Sequence, residues 1–124
     1  MKVIIAGSRT IDDYNVVQMA IYESNFIIQE VVSGCANGVD KLGEKYANES
    51  RIPIKQFPAM WKIQGRKAGY LRNLEMAKYA DALIAIWDGE SKGTKMMINL
   101  AKNYGLKVFV KEYKKEEVKN AFIS

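Results

Sequence analysis

Apolar residues recur along the chain in two rhythms. Val3-Ile4-Ile5-Ala6, Glu30-Val31-Val32-Ser33, Ile52-Pro53-Ile54-Lys55-Gln56-Phe57, Ala82-Leu83-Ile84-Ala85-Ile86-Trp87 and Lys107-Val108-Phe109-Val110 are short apolar runs bounded by turn residues. Such runs predict strands, and continuous ones such as the first and fourth predict strands buried on both faces. Pro53 near the start of the third suits an edge position. Between the runs the apolar spacing becomes helical. Val16, Val17, Ala20, Ile21 and Ser24 predict one buried face of a helix that starts at an Asp12 or Asp13 cap and ends near residue 28. Further helices are expected from Gly38 to about Ser50, carrying Leu42, Tyr46 and Ala47, from about Gly69 to Ala80, and from Gly93 to Tyr104, with Gly105 at the C′ position. Met76, Met96, Met97 and Leu100 fit a packing stripe. Pro58 to Gly69 is the longest irregular stretch, and a short helix is expected over Glu116 to Phe122.

Strands alternating with helices in this way call for βαβ units and a sheet covered on both faces. The expected architecture is α/β: a three-layer α/β/α domain with a mainly parallel five-stranded sheet, residues 1–124 forming one domain and about 111–124 a C-terminal extension. In such sheets ligands collect outside the carboxyl ends of the strands, near the point where the winding reverses. The chain has no internal repeat and no low-complexity segment.

Composition narrows the chemistry. The chain has 124 residues, 48% hydrophobic and 27% charged, which is the balance of a soluble globular protein. Its apolar runs are far shorter than the roughly 20 residues of a membrane helix, and its N-terminus reads as a strand rather than a signal peptide. A cytoplasmic location is expected. With no histidine and the single Cys35, the chain has neither an internal disulfide nor the ligands of a transition-metal site. Ser–His and Cys–His chemistry is excluded, so any catalysis uses carboxylates, tyrosine, lysine or arginine. No cofactor is required; Mg²⁺ could accompany a phosphorylated ligand. The net charge of +5 favours anionic ligands, whereas the mixed-sign stretch Lys111 to Glu117 reads as a solvated helix face.

Three strand ends carry glycine-rich, hydroxyl-bearing turns. Gly7-Ser8-Arg9 lacks a G-x-G-x-x-G pattern, but Gly7 can admit a ligand to the backbone, Ser8 can donate and Arg9 can fork onto a phosphate or carboxylate. Ser33-Gly34-Cys35-Ala36-Asn37-Gly38-Val39-Asp40 sets glycines around small residues and then an acid in a first helical turn. Asp40 has two readings, a favourable charge at a helix N-terminus or an acceptor for ribose hydroxyls. Cys35 reads as a small spacer rather than a nucleophile. Asp88-Gly89-Glu90-Ser91-Lys92-Gly93-Thr94 follows the fourth strand and opens a helix, the arrangement that binds phosphate. Gly89 and Gly93 let N–H groups converge, Ser91 and Thr94 add hydroxyls, and Asp88 could orient Arg9 or Arg72, bind ribose or recruit Mg²⁺. Thr94 could instead simply cap the helix. Arg66, Lys67, Arg72 and Asn73 cluster around Ala68-Gly69-Tyr70, either as ordinary helix surface or as a site for a flat phosphorylated ligand. Trp61 and Tyr70 beside them read either as core or interface packing, the preferred reading for Trp61, or as the aromatic that stacks on such a ligand.

Together, Ala6-Gly7-Ser8-Arg9, Ser33-Gly34 with Gly38 and Asp40, Ala68-Gly69 with Arg72-Asn73 and Met76, then Asp81, Trp87-Asp88-Gly89, Ser91 and Gly93-Thr94, resemble the SLOG superfamily in its small bacterial and phage YspA-type branch. The resemblance covers about residues 1–110. It implies a Rossmann-like sheet that binds nucleotides or nucleotide-derived ligands, in dimers or larger assemblies such as tetramers. Superfamily members include cytokinin-activating phosphoribohydrolases, the DNA-processing protein DprA and ligand-sensing domains of antiphage systems. Arg72 matches the arginine of the hydrolases and is the best catalytic candidate. Met97 stands where their glutamate is expected, and Asp88-Gly89 replaces their Pro-Gly. Cleaving an N-glycosidic bond needs a carboxylate, which methionine cannot supply.

Three functions follow. The first is capture of a nucleotide or nucleotide-derived small molecule at the strand ends, for sensing or sequestration, by a homo-oligomer. The second is a nucleoside 5′-monophosphate phosphoribohydrolase. The third is single-stranded nucleic-acid binding, which ranks last because no series of alternating aromatics and cations is present. No membrane partner is expected.

Overall fold

Successive side chains of the central strands point to opposite faces, and each face builds its own core. In the computed structural model, which describes residues 1–114, Val3 and Ile5 of β1 (Lys2–Gly7) and Ala82, Ile84 and Ile86 of β4 (Ala82–Trp87) enter one core. It is covered by Val16, Val17, Ala20 and Ile21 of α1 (Tyr14–Ser24) and by Val39 and Ala47 of α2 (Val39–Glu49). The alternate residues Ile4, Ala6, Leu83 and Ala85 enter the other core. There they meet Met76 and Ala77 of α4 (Ala68–Tyr79), and Met97, Ile98, Leu100 and Ala101 of α5 (Lys92–Asn103).

β2 (Glu30–Ser33), β3 (Ile54–Gln56) and β5 (Lys107–Glu112) complete a sheet of order β3-β2-β1-β4-β5. Every pair is parallel rather than merely most of them, because a helix returns the chain to the same end after each strand. β1 lies at the centre, with β2 on one side and β4 on the other, so the winding reverses between β1 and β4. β3 is an edge strand, as Pro53 suggests.

Several boundaries differ from the sequence reading. α1 stops at Ser24, four residues early, because Asn25 turns left-handed at φ 59° and Ser24 Oγ donates to the Ile21 carbonyl. Asp13 supplies its N-cap, accepting from the Asn15 and Val16 amides. β3 has three residues rather than six. The stretch between Pro58 and Gly69 is not irregular throughout: it holds the short α3 (Trp61–Gln64) and a 3₁₀ turn (Gly65–Lys67) leading into α4. Ser91 rather than Thr94 caps α5, its Oγ accepting from the Thr94 amide. Lys111 and Glu112 belong to β5, not to a helix face: they pair with Ile86 and Trp87, and Lys111 Nζ lies 2.6 Å from Glu23. The helix expected over 116–122 lies outside the described residues.

Gly43 shows how closely α2 packs on the sheet. A Cβ there would come within 2.9 Å of the Ile5 side chain. Helix propensity alone favours alanine over glycine by about 1 kcal/mol, but forced repacking of a tight core costs about 1–3 kcal/mol. Gly43→Ala therefore lowers stability, by about 1 kcal/mol net, as measured by urea unfolding.

Candidate functional site

The parallel sheet sends the turns after β1, β2, β3 and β4 out of one edge. Ser8 ties two of them together. Its amide donates to the Ile86 carbonyl at 3.2 Å, its Oγ accepts from the Asp88 amide at 3.3 Å, and its carbonyl accepts from the amides of Ile11 and Val39. The β2 turn crosses directly over this knot. Gly38, at φ 78°, lies so close that a Cβ would sit 2.5 Å from the Ser8 carbonyl oxygen and 2.6 Å from that of Arg9. Only glycine meets both demands.

Arg72, on α4, reaches across to the β2 turn. Its Nη1 donates to the Gly34 carbonyl and its Nε donates to Asn73 Oδ1 at 2.8 Å. Asp40 lies beneath, 5% exposed, with Oδ2 accepting from the Ala36 amide at 3.2 Å. Gly34 separates the two, since a Cβ there would come within 2.7 Å of Arg72 Nη1 and 2.8 Å of Asp40 Oδ2. Burial pushes the Asp40 carboxyl up to about 6, against the opposing pull of the Ala36 amide and the Arg72 charge. Burial likewise lowers Arg72 from its ordinary value, with Asp40 acting the other way and the neighbouring Arg9 charge adding to the decrease.

Above this pair lies a cleft of two adjoining lobes of about 340 and 330 Å³. Both are lined by Arg9, Ala36, Trp61 and Arg72, which form the waist between them. The first lobe adds Gly34, Cys35 and Asn37 from the β2 turn and Pro58 and Ala59 from beyond β3. The second adds Gly7, Asp40, Arg66, Asn73 and the α5 start, Ser91, Gly93 and Thr94. The turns from β1, β2 and β4 thus converge as their sequences suggested.

Some expected site residues lie elsewhere. Ser8 and Ser33 are buried beneath the cleft and line neither lobe; Ser33 Oγ donates to Glu44 Oε2 and accepts from the Cys35 amide. Gly38 also lies outside the lining, in its crossing role. Asp88 does not orient an arginine: its Oδ1 accepts from the Glu90 and Ser91 amides, both at 2.8 Å, which hold its carboxyl below the usual range. Asp88 and Gly89 border a separate groove with Glu112 and Lys114. The Cys35 thiol is half-buried and raised, by burial first and the Glu44 charge second.

The lining also includes residues left outside the expected site set: Ala36, Gly69, Tyr70 and Trp61, the last of which the sequence offered as a stacking aromatic but favoured as packing. Trp61 is 51% exposed, so it does not belong to the core. A tryptophan a few residues before Arg66 and Lys67 was the available signal, the one behind the stacking alternative. Met97 is 2% exposed and lines the second lobe while packing in the core. Among the described residues no helix is long and apolar enough to cross a membrane, and no three acidic or thiol groups gather as a metal site.

The raised Asp40 carboxyl has a defined stability signature. The folded state holds this proton more tightly than the unfolded chain, so the unfolded state binds fewer protons between about pH 4 and 6. Stability falls across that window as pH rises, then levels off, with Asp40 contributing of order 3 kcal/mol. Asp40→Asn flattens this component, as read by urea unfolding at a series of pH values.

Comparison with known proteins agrees with this architecture. The family model described as "YspA, cpYpsA-related SLOG family" matches residues 1–63, which hold the β1 and β2 turns and Asp40. The "Gene 61 protein" of Mycobacterium phage D29 is 32% identical over 117 aligned residues, covering 86% of this chain and 93% of the phage protein. No solved structure gives a significant match. With over half its length matched by the family model and its glycine turns gathered at the sheet edge, the chain belongs to the YspA, cpYpsA-related SLOG family.

Proposed function

We propose that the protein binds a nucleotide or nucleotide-derived small molecule in the two-lobed cleft, to sense or sequester it. The observation carrying this reading is the set of three arginines around one cleft, Arg9, Arg66 and Arg72. Among the described residues the Arg9 and Arg66 side chains have no hydrogen-bond or ion-pair partner, and both are exposed. Arginines left unpaired beside a concave site offer forked donors to phosphate or carboxylate. The α5 N-terminus adds positive dipole and backbone N–H groups to the second lobe, and Gly93 leaves the approach open. Family membership supports a nucleotide-related ligand.

A second reading, hydrolysis of the N-glycosidic bond of a nucleotide, rests on Asp40. Asp40 is among the residues lining the lobe that Met97 and Arg72 also line. A carboxyl raised toward neutrality can serve as general acid or base, although Asp40 is 5% exposed beneath Gly34 and Arg72. The binding reading ranks first because the accessible cleft groups are hydrogen-bond donors suited to an anion.

Thermal unfolding with AMP, GMP, CMP, NAD, ADP-ribose and cyclic dinucleotides tests the binding reading. At least one compound raises Tm by several degrees at saturating concentration; flat melting temperatures across the panel sink the idea. Arg9→Ala and Arg66→Ala each weaken that binding by about tenfold, the scale of one lost charge-assisted contact. Both leave the ligand-free stability within about 0.5 kcal/mol. AMP remains intact through a long incubation followed by chromatography, whereas release of adenine that Asp40→Asn abolishes establishes hydrolysis instead.

A further inference from the structure

We infer that Trp61 is a stacking platform for an aromatic base, so that the cleft selects nucleotides over base-free sugar phosphates; this rests on the nucleotide reading above. Trp61 lies at the waist, lining both lobes together with Arg9 and Arg72. Half of its surface is exposed, and among the described residues its Nε1–H and its ring make no hydrogen bond, ring contact or cation contact. The other tryptophan is employed differently: Trp87 Nε1 donates to the Ser91 carbonyl at 3.0 Å and so closes the β4 turn.

The indole also has a close neighbour in α4. Gly69, in the first turn of α4, sits beneath it, and a Cβ there would approach Trp61 Cη2 to 3.3 Å. Glycine inside a helix disfavours that helix, and here it makes room for the ring. An exposed aromatic face that shares the cleft lining with two guanidinium groups suits a ligand that is flat at one end and anionic at the other. A sugar phosphate would engage the arginines and the α5 start but leave the indole without a partner. A nucleobase covers it, and the phosphate of the same molecule reaches the charged groups.

Calorimetric titration of the full chain with AMP and with ADP-ribose, using ribose 5-phosphate as the base-free control, tests the assignment. Trp61→Ala weakens whichever nucleotide binds by about tenfold or more, the scale of one lost base–aromatic stack. It leaves ribose 5-phosphate within about twofold, and Trp61→Phe retains most of the nucleotide affinity. In a Trp87→Phe background the remaining emission, from Trp61, is quenched by the nucleotide and not by ribose 5-phosphate. Nucleotide affinity undiminished in Trp61→Ala, or an equal loss for nucleotide and sugar phosphate, overturns the platform while leaving the nucleotide reading standing. Trp61→Ala that dissociates an oligomer without changing the preference for base also overturns it. Failure of both nucleotides to bind the unaltered protein overturns this assignment, and failure of the whole thermal-unfolding panel overturns the nucleotide reading itself.

Discussion

Arg72 spans the gap between α4 and the β2 turn, donating to the Gly34 carbonyl while Asp40 lies beneath. The wall of the cleft depends on that reach. A buried carboxylate is costly without a nearby cation and backbone donors, and Asp40 has both in Arg72 and the Ala36 amide. Arg72 in turn loses solvent but gains the Gly34 carbonyl, Asn73 Oδ1 and the Asp40 charge. Each group makes the placement of the other tolerable. A side chain at Gly34 would intrude between them, which explains that glycine better than turn geometry does.

The same economy of space governs the rest of the sheet edge. Ser8 joins the ends of β1 and β4 and accepts from the start of α2 through its carbonyl, so the place where the winding reverses is also where three backbones meet. Gly38 crosses there because nothing larger fits. The hydroxyl of Ser8 is used up in this joint, as that of Ser33 is on Glu44. What remains open above the joint is cationic and aromatic: Arg9, Arg66 and Trp61 surround it with little internal commitment. The division between satisfied groups below and unsatisfied groups above separates the scaffold from the surface proposed for recognition.

Aspartates and serines proved harder to place than arginines, for a physical reason. Short polar side chains are readily taken up by the nearest backbone amides. Asp88 illustrates this, since its Oδ1 is occupied by Glu90 and Ser91 within its own turn. Long arginines reach across elements and keep donors to spare. Core packing, one of the readings open for Trp61, does not hold because its surroundings, Gly65, Arg66 and Lys67, become an exposed helical turn that no periodicity announces.

The alternation of strand and helix, the two-faced apolar runs and the glycine turns were enough to predict the α/β layers, the edge position of β3 and the gathering of chemistry at the strand carboxyl ends. Those features follow from local periodicity and from the fact that parallel strands must all end on one side. The endpoint of α1, the strand assignment of Lys111 and Glu112, the burial of Ser8 and Ser33 and the exposure of Trp61 were decided only by the tertiary structure. Each depends on which distant backbone or side chain arrives alongside, as Ile86 does for Ser8, Glu44 for Ser33 and Gly69 for Trp61. A sequence read locally gives the spacing of groups along the chain, whereas the distance between groups far apart in sequence is set by packing.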